Sequence, residues 1–150
     1  MKLKKADKSV EDLKNFIIKN NDTPGFYGDG KGIATMPDVP IKNQFADQLY
    51  IRQMDLKKGH VIIGAVHNHH HVWFLLTGRV YIIEGEEKIE HIAPCYTISK
   101  PGAQRVIYAV EDSIFVNVHK NPSNTQNIKE LESEIVSMTI EEFNNKNNKL

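Results

Sequence analysis

The sequence predicts a mainly β protein, with one antiparallel β-sandwich or barrel and helical segments at both ends of the chain. Residues 48–120 consist of short apolar, β-branched stretches separated by Gly, Pro and charged turns, a texture typical of such sheets. Apolar residues at helical spacing occur before and after that region. A length of 150 residues suits one compact domain and leaves little room for a second.

The N-terminal region is predicted to hold a short helix followed by an extended arm. Residues 9–20 place one apolar stripe on a helix, and Ser9 can cap its start together with Asp12 three residues later. Residues 21–40 contain four Gly and three Pro, a density of breakers that excludes long regular structure. The helix and the arm are therefore assigned to residues 1–44.

The barrel region is assigned to residues 45–120 and accommodates seven or eight strands. The predicted strands lie near residues 48–56, 60–67, 70–77, 79–84, 87–92, 95–99, 104–110 and 113–119. The breaks between them fall at Gly- and Pro-containing or charged turns, because Gly and Pro favour turn conformations that strands cannot adopt.

The C-terminal region, residues 121–150, returns to helical spacing. Three apolar residues share one helix face: Ile128, Leu131 and Ile135. Asn127 and Glu130 suit the first turn of that helix. A second short helix is predicted to begin at Thr139, where Glu142 completes a capping box.

Composition excludes several classes of function. Nineteen Lys plus Arg residues balance nineteen Asp plus Glu residues, so the overall charge favours neither nucleic acid nor an anionic membrane as a partner. The single cysteine, Cys95, excludes an internal disulfide and a cysteine-rich zinc site. No apolar run approaches the ~20 residues of a membrane span, and no signal-type stretch follows the N-terminal lysines. The expected location is the cytoplasm, and any metal site must use His or carboxylate ligands.

The most informative segment is residues 64–74, which holds four of the seven histidines within five positions. On an extended strand, His67, His69 and His71 point to one face and His70 points to the other. Imidazole ligates zinc, copper, iron and nickel, and histidines at i and i+2 can share one ion. On a straight strand, the Cα atoms of His67 and His71 would lie ~13 Å apart, so a shared metal requires a bend between them.

A plainer interpretation treats these histidines as a polar patch on a sheet, or as hydrogen-bonded groups inside a barrel. Three imidazoles on one face beside an apolar run favour metal binding, because burying unpaired imidazoles costs desolvation that a metal would offset. His119 lies on a late strand that could cross the same cavity. His60 and His91 are scattered, and each is predicted to be structural.

The histidine region resembles the cupin superfamily, whose members are small β-barrels of the jelly-roll type. Gly59 and Gly78 bracket the region, and the strand and turn that reach Gly78 are similar to the end of the first cupin motif. Counting back from Gly78 places His67 at the second ligand position and His71 at the position of the usual glutamate. Ala65 stands where the first histidine ligand is expected.

Residues 100–106 are similar to the second cupin motif, with Arg105 roughly where its histidine ligand would be. Arginine stays protonated and cannot ligate a metal. The resemblance covers residues 45–120 and implies a single jelly-roll barrel, with its metal site either altered or lost. Two ligand sets remain open: His67, His69 and His71, or two of these with His119. Arg105 would clamp a carboxylate or phosphate, or pair with a neighbouring acid.

The first functional hypothesis is a metal-binding cupin that holds a divalent ion through its histidine cluster. Ligand type does not separate iron, zinc, nickel and copper. Three neutral histidines leave the charge of the ion intact, which suits Lewis-acid activation or binding of an anionic ligand. Arg105, with Tyr81 or Tyr108, would orient that ligand. If the protein is an enzyme, analogy with the family makes a metal-dependent cupin oxygenase the leading class.

The second hypothesis is a non-catalytic cupin barrel that serves as a building block of a homo-oligomer. The broken ligand pattern and the long segments outside the barrel favour it. Residues 116–122, the following helix and residues 137–143 resemble the end of small single-cupin proteins of tailed bacteriophages. That resemblance implies a virion component, with other virion proteins as partners and the host cytoplasm or the particle as its location.

A third hypothesis is a cupin of the sugar-nucleotide epimerase or isomerase type, which needs no metal. His67 or His119 would serve as the catalytic base. The sequence offers no convincing second catalytic partner, so this hypothesis ranks below the other two.

Overall fold

The computed structural model describes residues 26–27, 39–137 and 139–147. The strands in these ranges are β1 (Phe26–Tyr27), β2 (Ile41–Ala46), β3 (Leu49–Leu56), β4 (Val61–Ile63), β5 (Val66–His67), β6 (His71–Thr77), β7 (Arg79–Glu84), β8 (Glu87–Ile92), β9 (Cys95–Ser99), β10 (Val106–Ala109), β11 (Ser113–Lys120) and β12 (Val136–Ser137). The helices are α1 (Ile128–Ile135) and α2 (Ile140–Asn147). None of the described helices is long and apolar enough to cross a membrane.

Two five-stranded sheets form the body of the molecule. One has the strand order β1-β4-β10-β7-β8 and the other has the order β2-β3-β11-β6-β9. A third, two-stranded sheet joins β5 to β12. The predicted mainly β fold is confirmed, and most predicted strands match observed strands to within two residues at each end. The predicted strand at residues 60–67 is divided into β4 and β5, which belong to different sheets.

The edge strand β2 was not predicted, since the first predicted strand begins near residue 48. The predicted boundary between arm and barrel, at residue 45, falls inside β2. It pairs with β3 along its whole length, from Ile41 opposite Met54 to Ala46 opposite Leu49. Polar residues occupy much of β2, as is common on strands at the end of a sheet, where polar and charged side chains disfavour pairing with another chain. The predicted helix at residues 9–20 lies outside the described residues.

The main core lies between the inner faces of the two large sheets. Its buried members are Val39, Met54, Leu56, Ile62, Trp73, Leu75, Val80, Ile82, Ile107, Ala109 and Phe115. Trp73 and Phe115 stack with ring centroids 5.0 Å apart. Because side chains alternate along a strand, the pattern that turns Trp73 inward also turns His71 inward on β6. On β11, the same alternation turns Phe115, Asn117 and His119 to the interior.

Helix α1 covers a second apolar cluster beside the sheets. The buried members of this cluster are Tyr50, Ala65, Leu131, Ile135 and Val136. The Glu130 amide donates to Asn127 Oδ1 over 3.2 Å, so the predicted cap of α1 is present. The Glu142 amide donates to Thr139 Oγ1 over 3.0 Å and caps α2 as predicted. The C-terminal region therefore packs on the barrel and contributes to its structure.

Candidate metal centre

His67 ends β5 and is held by backbone hydrogen bonds from two sides. Its amide donates to the Ala103 carbonyl over 2.9 Å, and its carbonyl accepts from the Gly102 amide over 2.7 Å. On the other side, β12 places Val136 opposite His67. The turn before β10 and the C-terminal segment thus fix the backbone that carries this imidazole.

A bend at residues 68–70 separates β5 from β6. Asn68 anchors the bend, because its amide donates to the Ile135 carbonyl over 2.8 Å and its Nδ2 donates to the Glu134 carbonyl over 3.1 Å. Asn68 Oδ1 in turn accepts from Ser137 Oγ over 2.6 Å. The end of α1 and the start of β12 therefore hold the bend that a shared metal site requires.

Three histidines meet in the interior: His67 at the end of β5, His71 at the start of β6 and His119 near the end of β11. All three are buried, and their candidate ligand atoms lie within 4.8 Å of one another. The ring centroids of His67 and His71 are 4.0 Å apart, and those of His71 and His119 are 4.6 Å apart. Of the two ligand sets that the sequence left open, the structure brings together the one that contains His119.

The structure does not bring His69 to this group. The bend interrupts the alternation of side chains that would have placed it on the face of His67 and His71. His69 is half-buried, and its ring lies near the backbone carbonyl of Glu134. Burial lowers the pKa of His69, with Lys120 as the next cause.

Burial is the largest cause of low pKa values in the three clustered histidines. It lowers the pKa of His71 to about 3, assisted by the charge of Arg105. The pKa values of His67 and His119 also lie well below 6.5, first through burial and then through the charge of His71. All three imidazoles are therefore neutral at pH 7, which is the state that ligates a metal.

The three histidines fit a divalent metal ion. Nδ1 of His67 and Nδ1 of His71 are buried and have no hydrogen-bond partner among the described residues. Two nitrogens that share one zinc ion, each at ~2.1 Å from it, can be at most ~4.2 Å apart. The ligand atoms lie within 4.8 Å of one another, so small rotations of the rings are enough to form the site. A set of three imidazoles suits zinc, iron, nickel and copper, and does not select one of them.

Arg105 lies where the resemblance to the second cupin motif placed it, inside the cavity beside the histidines. Its side chain is buried. Nη1 donates to Ser99 Oγ over 2.6 Å, and Nη2 lies 3.1 Å from His71 Nε2. Burial lowers the pKa of Arg105 to about 10, so the guanidinium remains charged at neutral pH.

Three residues beside the histidines were not predicted from the sequence. Tyr50 stacks on His119 with ring centroids 5.8 Å apart. Arg52 is buried, lines the same cavity of about 40 Å³ and lies 3.9 Å from Glu132 of α1. Asn117 Oδ1 is buried without a partner among the described residues. The available signal was strand alternation, since Asn117 stands two positions before His119 on the same face.

Tyr81 and Tyr108, which the sequence analysis proposed as ligand-orienting residues, do not reach the cavity. Their neighbours on β7 and β10 belong to the core, so alternation turns both phenols to the outer side of the sheet. There the two rings lie 6.5 Å apart, and the Lys88 ammonium lies 4.2 Å above Tyr81.

No protein-family model and no curated protein sequence matches this chain. Solved structures do match it. A cupin superfamily protein from Desulfitobacterium hafniense is 12% identical, covers 56% of this chain and 78% of its own, and superposes with a TM-score of 0.50. A protein from Klebsiella pneumoniae with a double-stranded β-helix domain is 19% identical, covers 65% of this chain and 89% of its own, and gives a TM-score of 0.52. A protein of Photorhabdus luminescens is 13% identical, covers 64% of this chain and 87% of its own, and also gives a TM-score of 0.52.

These likenesses establish the fold of this chain. It is the cupin fold, also described as a double-stranded β-helix, as the resemblance of the histidine region implied. At these levels of identity they establish nothing about activity or substrate, which must be argued from the site itself.

Proposed function

We propose that this protein is a single-domain cupin-fold protein that binds a divalent metal ion through His67, His71 and His119. The observation that supports it is the convergence of three buried, neutral imidazoles from separate strands, with ligand atoms within 4.8 Å of one another. Burying unpaired imidazoles costs desolvation free energy, and metal ligation offsets that cost.

The bound ion would supply Lewis-acid chemistry, and the residues around it would bind and orient an anionic ligand. We propose Arg105 for this role, and its charge, its burial and its contact with His71 support the proposal. If the site is catalytic, a metal-dependent oxygenase is the enzyme class that the resemblance to cupins implies. Iron, zinc, nickel and copper are all compatible with three imidazole ligands.

The first test measures metal affinity in wild-type protein and in His67→Ala. Wild-type protein is expected to bind about one Zn²⁺ per chain, and the loss of one of three ligands is expected to weaken binding by more than ~100-fold, the upper end of the effect of altering an outer-shell partner. Isothermal titration calorimetry of metal-free protein gives the affinity, and mass spectrometry gives the metal content after purification.

The matched controls come from the same segment. His70→Ala removes an exposed imidazole three residues from His67 and should leave the affinity unchanged. His69→Ala separates the two ligand sets, because it should matter only if His69 is a ligand. Unchanged zinc affinity in His67→Ala would show that the proposed ligand set is wrong.

A second candidate function is assembly, as a building block of a homo-oligomer. It is favoured by an apolar outer face on β6 and β9, where Leu76, Tyr96 and Ile98 are 50%, 68% and 63% exposed. The sheet register sets Tyr96 beside Phe74 and Ile98 beside Val72, so the face is continuous. Contiguous exposed apolar patches are uncommon on monomers, and a second copy of this chain is the proposed cover. A bacteriophage particle is one setting for such an assembly.

The assembly candidate predicts that the protein is a dimer or larger at micromolar concentration. A variant with both Tyr96→Lys and Ile98→Glu should be monomeric, because it places charges on the apolar face. Light scattering coupled to size exclusion measures the molar mass. Ile140→Glu is the control, because Ile140 is also exposed and lies on α2 rather than on β6 or β9. A monomeric wild-type protein would exclude this candidate and leave the metal site unaffected.

A further inference from the structure

A second cavity, which we call the mouth cavity, opens between β8 and β9, each at the end of its sheet. Its volume is about 250 Å³, which approaches the ~300–1,000 Å³ range of pockets for drug-sized ligands. Apolar side chains form part of its wall: Trp73, Ile82 and Ile89. Arg105 lines both this mouth cavity and the cavity of about 40 Å³ at the histidines. The two cavities therefore share one cationic side chain.

The guanidinium of Arg105 retains unused hydrogen-bonding capacity. It is only 5% exposed, and its Nε has no hydrogen-bond partner among the described residues. A buried donor without a partner is costly, and a guanidinium binds a carboxylate best through two parallel N–H donors. Arg105 is thus suited to hold a carboxylate that enters through the mouth cavity.

The contact between Arg105 and His71 conflicts with metal ligation. A guanidinium is only a donor, so the 3.1 Å contact requires His71 Nε2 to accept with its lone pair. A neutral imidazole has one lone pair and one N–H, so Nδ1 then carries the proton. Because the ring has a single lone pair, neither nitrogen of His71 can ligate a metal ion while Nε2 accepts from Arg105. Metal ligation by His71 and this hydrogen bond therefore exclude each other.

The charges around the histidines point in the same direction. Arg52 and Arg105 both line the histidine cavity. Glu132 lies 3.9 Å from Arg52 and offsets its charge, so Arg105 is the main positive charge that a divalent ion there would face. Charges repel strongly in a poorly hydrated interior. An anion that binds Arg105 would lower this repulsion and draw the guanidinium away from His71.

We infer that the mouth cavity binds an organic monocarboxylate at Arg105, and that this binding and metal binding by the histidines strengthen each other. The inference rests on the proposed function. The apolar walls suit a hydrocarbon body. Two acids, Glu84 and Glu87, and one further cation, Lys100, line the same cavity as Arg105, so one added negative charge is better tolerated than the two of a phosphate dianion.

The test titrates Zn²⁺ into metal-free wild-type protein with and without saturating butyrate. Butyrate is expected to tighten zinc binding by about 10-fold, within the usual range of coupling between two sites, and zinc must tighten butyrate binding by the same factor. Butyramide has nearly the same shape without the charge and should have no effect. Inorganic phosphate should have a smaller effect than butyrate.

Arg105→Met separates this role from a structural one. The variant frees the lone pair of His71 and removes a repelling charge, so it should bind Zn²⁺ more tightly than wild-type protein without butyrate, by about 10-fold. Butyrate should then have no effect on zinc affinity. A purely structural arginine predicts the opposite, weaker zinc binding. Lys88→Met is the matched control, because it removes an exposed cation that lies over Tyr81 on the outer side of the sheet, and it should preserve the coupling.

The outcomes distinguish the inference from the proposed function. If neither wild-type protein nor Arg105→Met binds Zn²⁺, both proposals are overturned. If zinc binds to the wild-type protein with one affinity regardless of butyrate, the coupling is overturned and the metal site stands. The titrations of wild-type protein need no variant, so they decide the matter even if Arg105→Met does not fold.

Discussion

The metal-free protein is expected to lose stability steeply as the pH falls below about 6.5, the ordinary pKa of histidine in an unfolded chain. Burial holds the pKa values of His67, His71 and His119 below that value in the folded protein. In the intervening range, the unfolded chain binds more protons than the folded protein does. The free energy of unfolding then falls by up to about 1.4 kcal/mol per pH unit for each histidine, which is about 4 kcal/mol per pH unit for all three.

This contribution is fully present above pH 6.5 and is lost as the pH falls. For His71 the loss ends near pH 3, where the folded protein also binds the proton. Since a domain of this kind has a free energy of unfolding of about 5–15 kcal/mol, a loss of about 4 kcal/mol per pH unit should unfold the metal-free protein between about pH 5 and about pH 3. Urea titrations followed by circular dichroism at several pH values, with EDTA present, measure the slope.

Two comparisons identify the source of the acid sensitivity. His119→Gln should reduce the slope by up to about 1.4 kcal/mol per pH unit, whereas His70→Gln, at an exposed position, should leave it unchanged. Zinc should move acid unfolding to lower pH, because the metal competes with protons for the same nitrogens and binds only the folded protein. Stability that stays constant between pH 7 and pH 5 would contradict the burial of neutral histidines.

Local signals account for the success of the fold prediction and for its gaps. Most strands end at Gly- or Pro-containing turns, and such residues act within a few positions of where they stand. The strands that sequence analysis missed are β1 and β2, which lie in or beside the Gly- and Pro-rich segment predicted to be an arm, and β12, which has no Gly or Pro beside it. The two-residue strand β12 exists because Val136 pairs with His67, about seventy residues earlier in the chain, and no local pattern carries that information.

The same reason limits prediction of the metal centre. Spacing alone indicated that His67 and His71 needed a bend to share an ion, but Asn68, which holds the bend, bonds to residues 134–137. Those partners decide that His69 is excluded from the group. The position of His119 inside the barrel could be predicted from its strand, and its distance from the other two histidines could not.

The structure gives a physical reason for two departures from the cupin motif, at Ala65 and at Arg105. Ala65, at the position of the first histidine ligand, is fully buried against α1 in the cluster with Leu131 and Ile135. A small side chain there leaves room for the helix, and His119 on β11 supplies the third imidazole. Arg105, at the position of the last histidine ligand, brings a positive charge against His71. We therefore expect metal affinity in this protein to depend on its anionic ligand.

Gly78→Ala is expected to destabilise the fold by about 2–4 kcal/mol, more than most single substitutions. Gly78 has a φ of +84° in the turn between β6 and β7, and an added Cβ would overlap Ser113 Oγ and the Asp112 carbonyl. The Arg79 amide donates to Ser113 Oγ over 3.1 Å, and the Ala93 amide donates to the Gly78 carbonyl over 3.0 Å. These bonds hold the backbone, so the clash cannot be relieved cheaply. Urea unfolding at pH 7 measures the loss.

Gly85→Ala is the matched control, in the next turn along the chain, between β7 and β8. Gly85 has a φ of +61°, and nothing lies within 4 Å of an added Cβ. It therefore carries only the cost of a left-handed backbone for a residue with a Cβ, about 1–2 kcal/mol. The difference between the two variants isolates the contact of Gly78 with β11 from the backbone term. Equal destabilisation would mean that β11 moves to accommodate the methyl group. The pairing of β6, which carries His71, with β11, which carries His119, would then be more easily deformed than the structure implies.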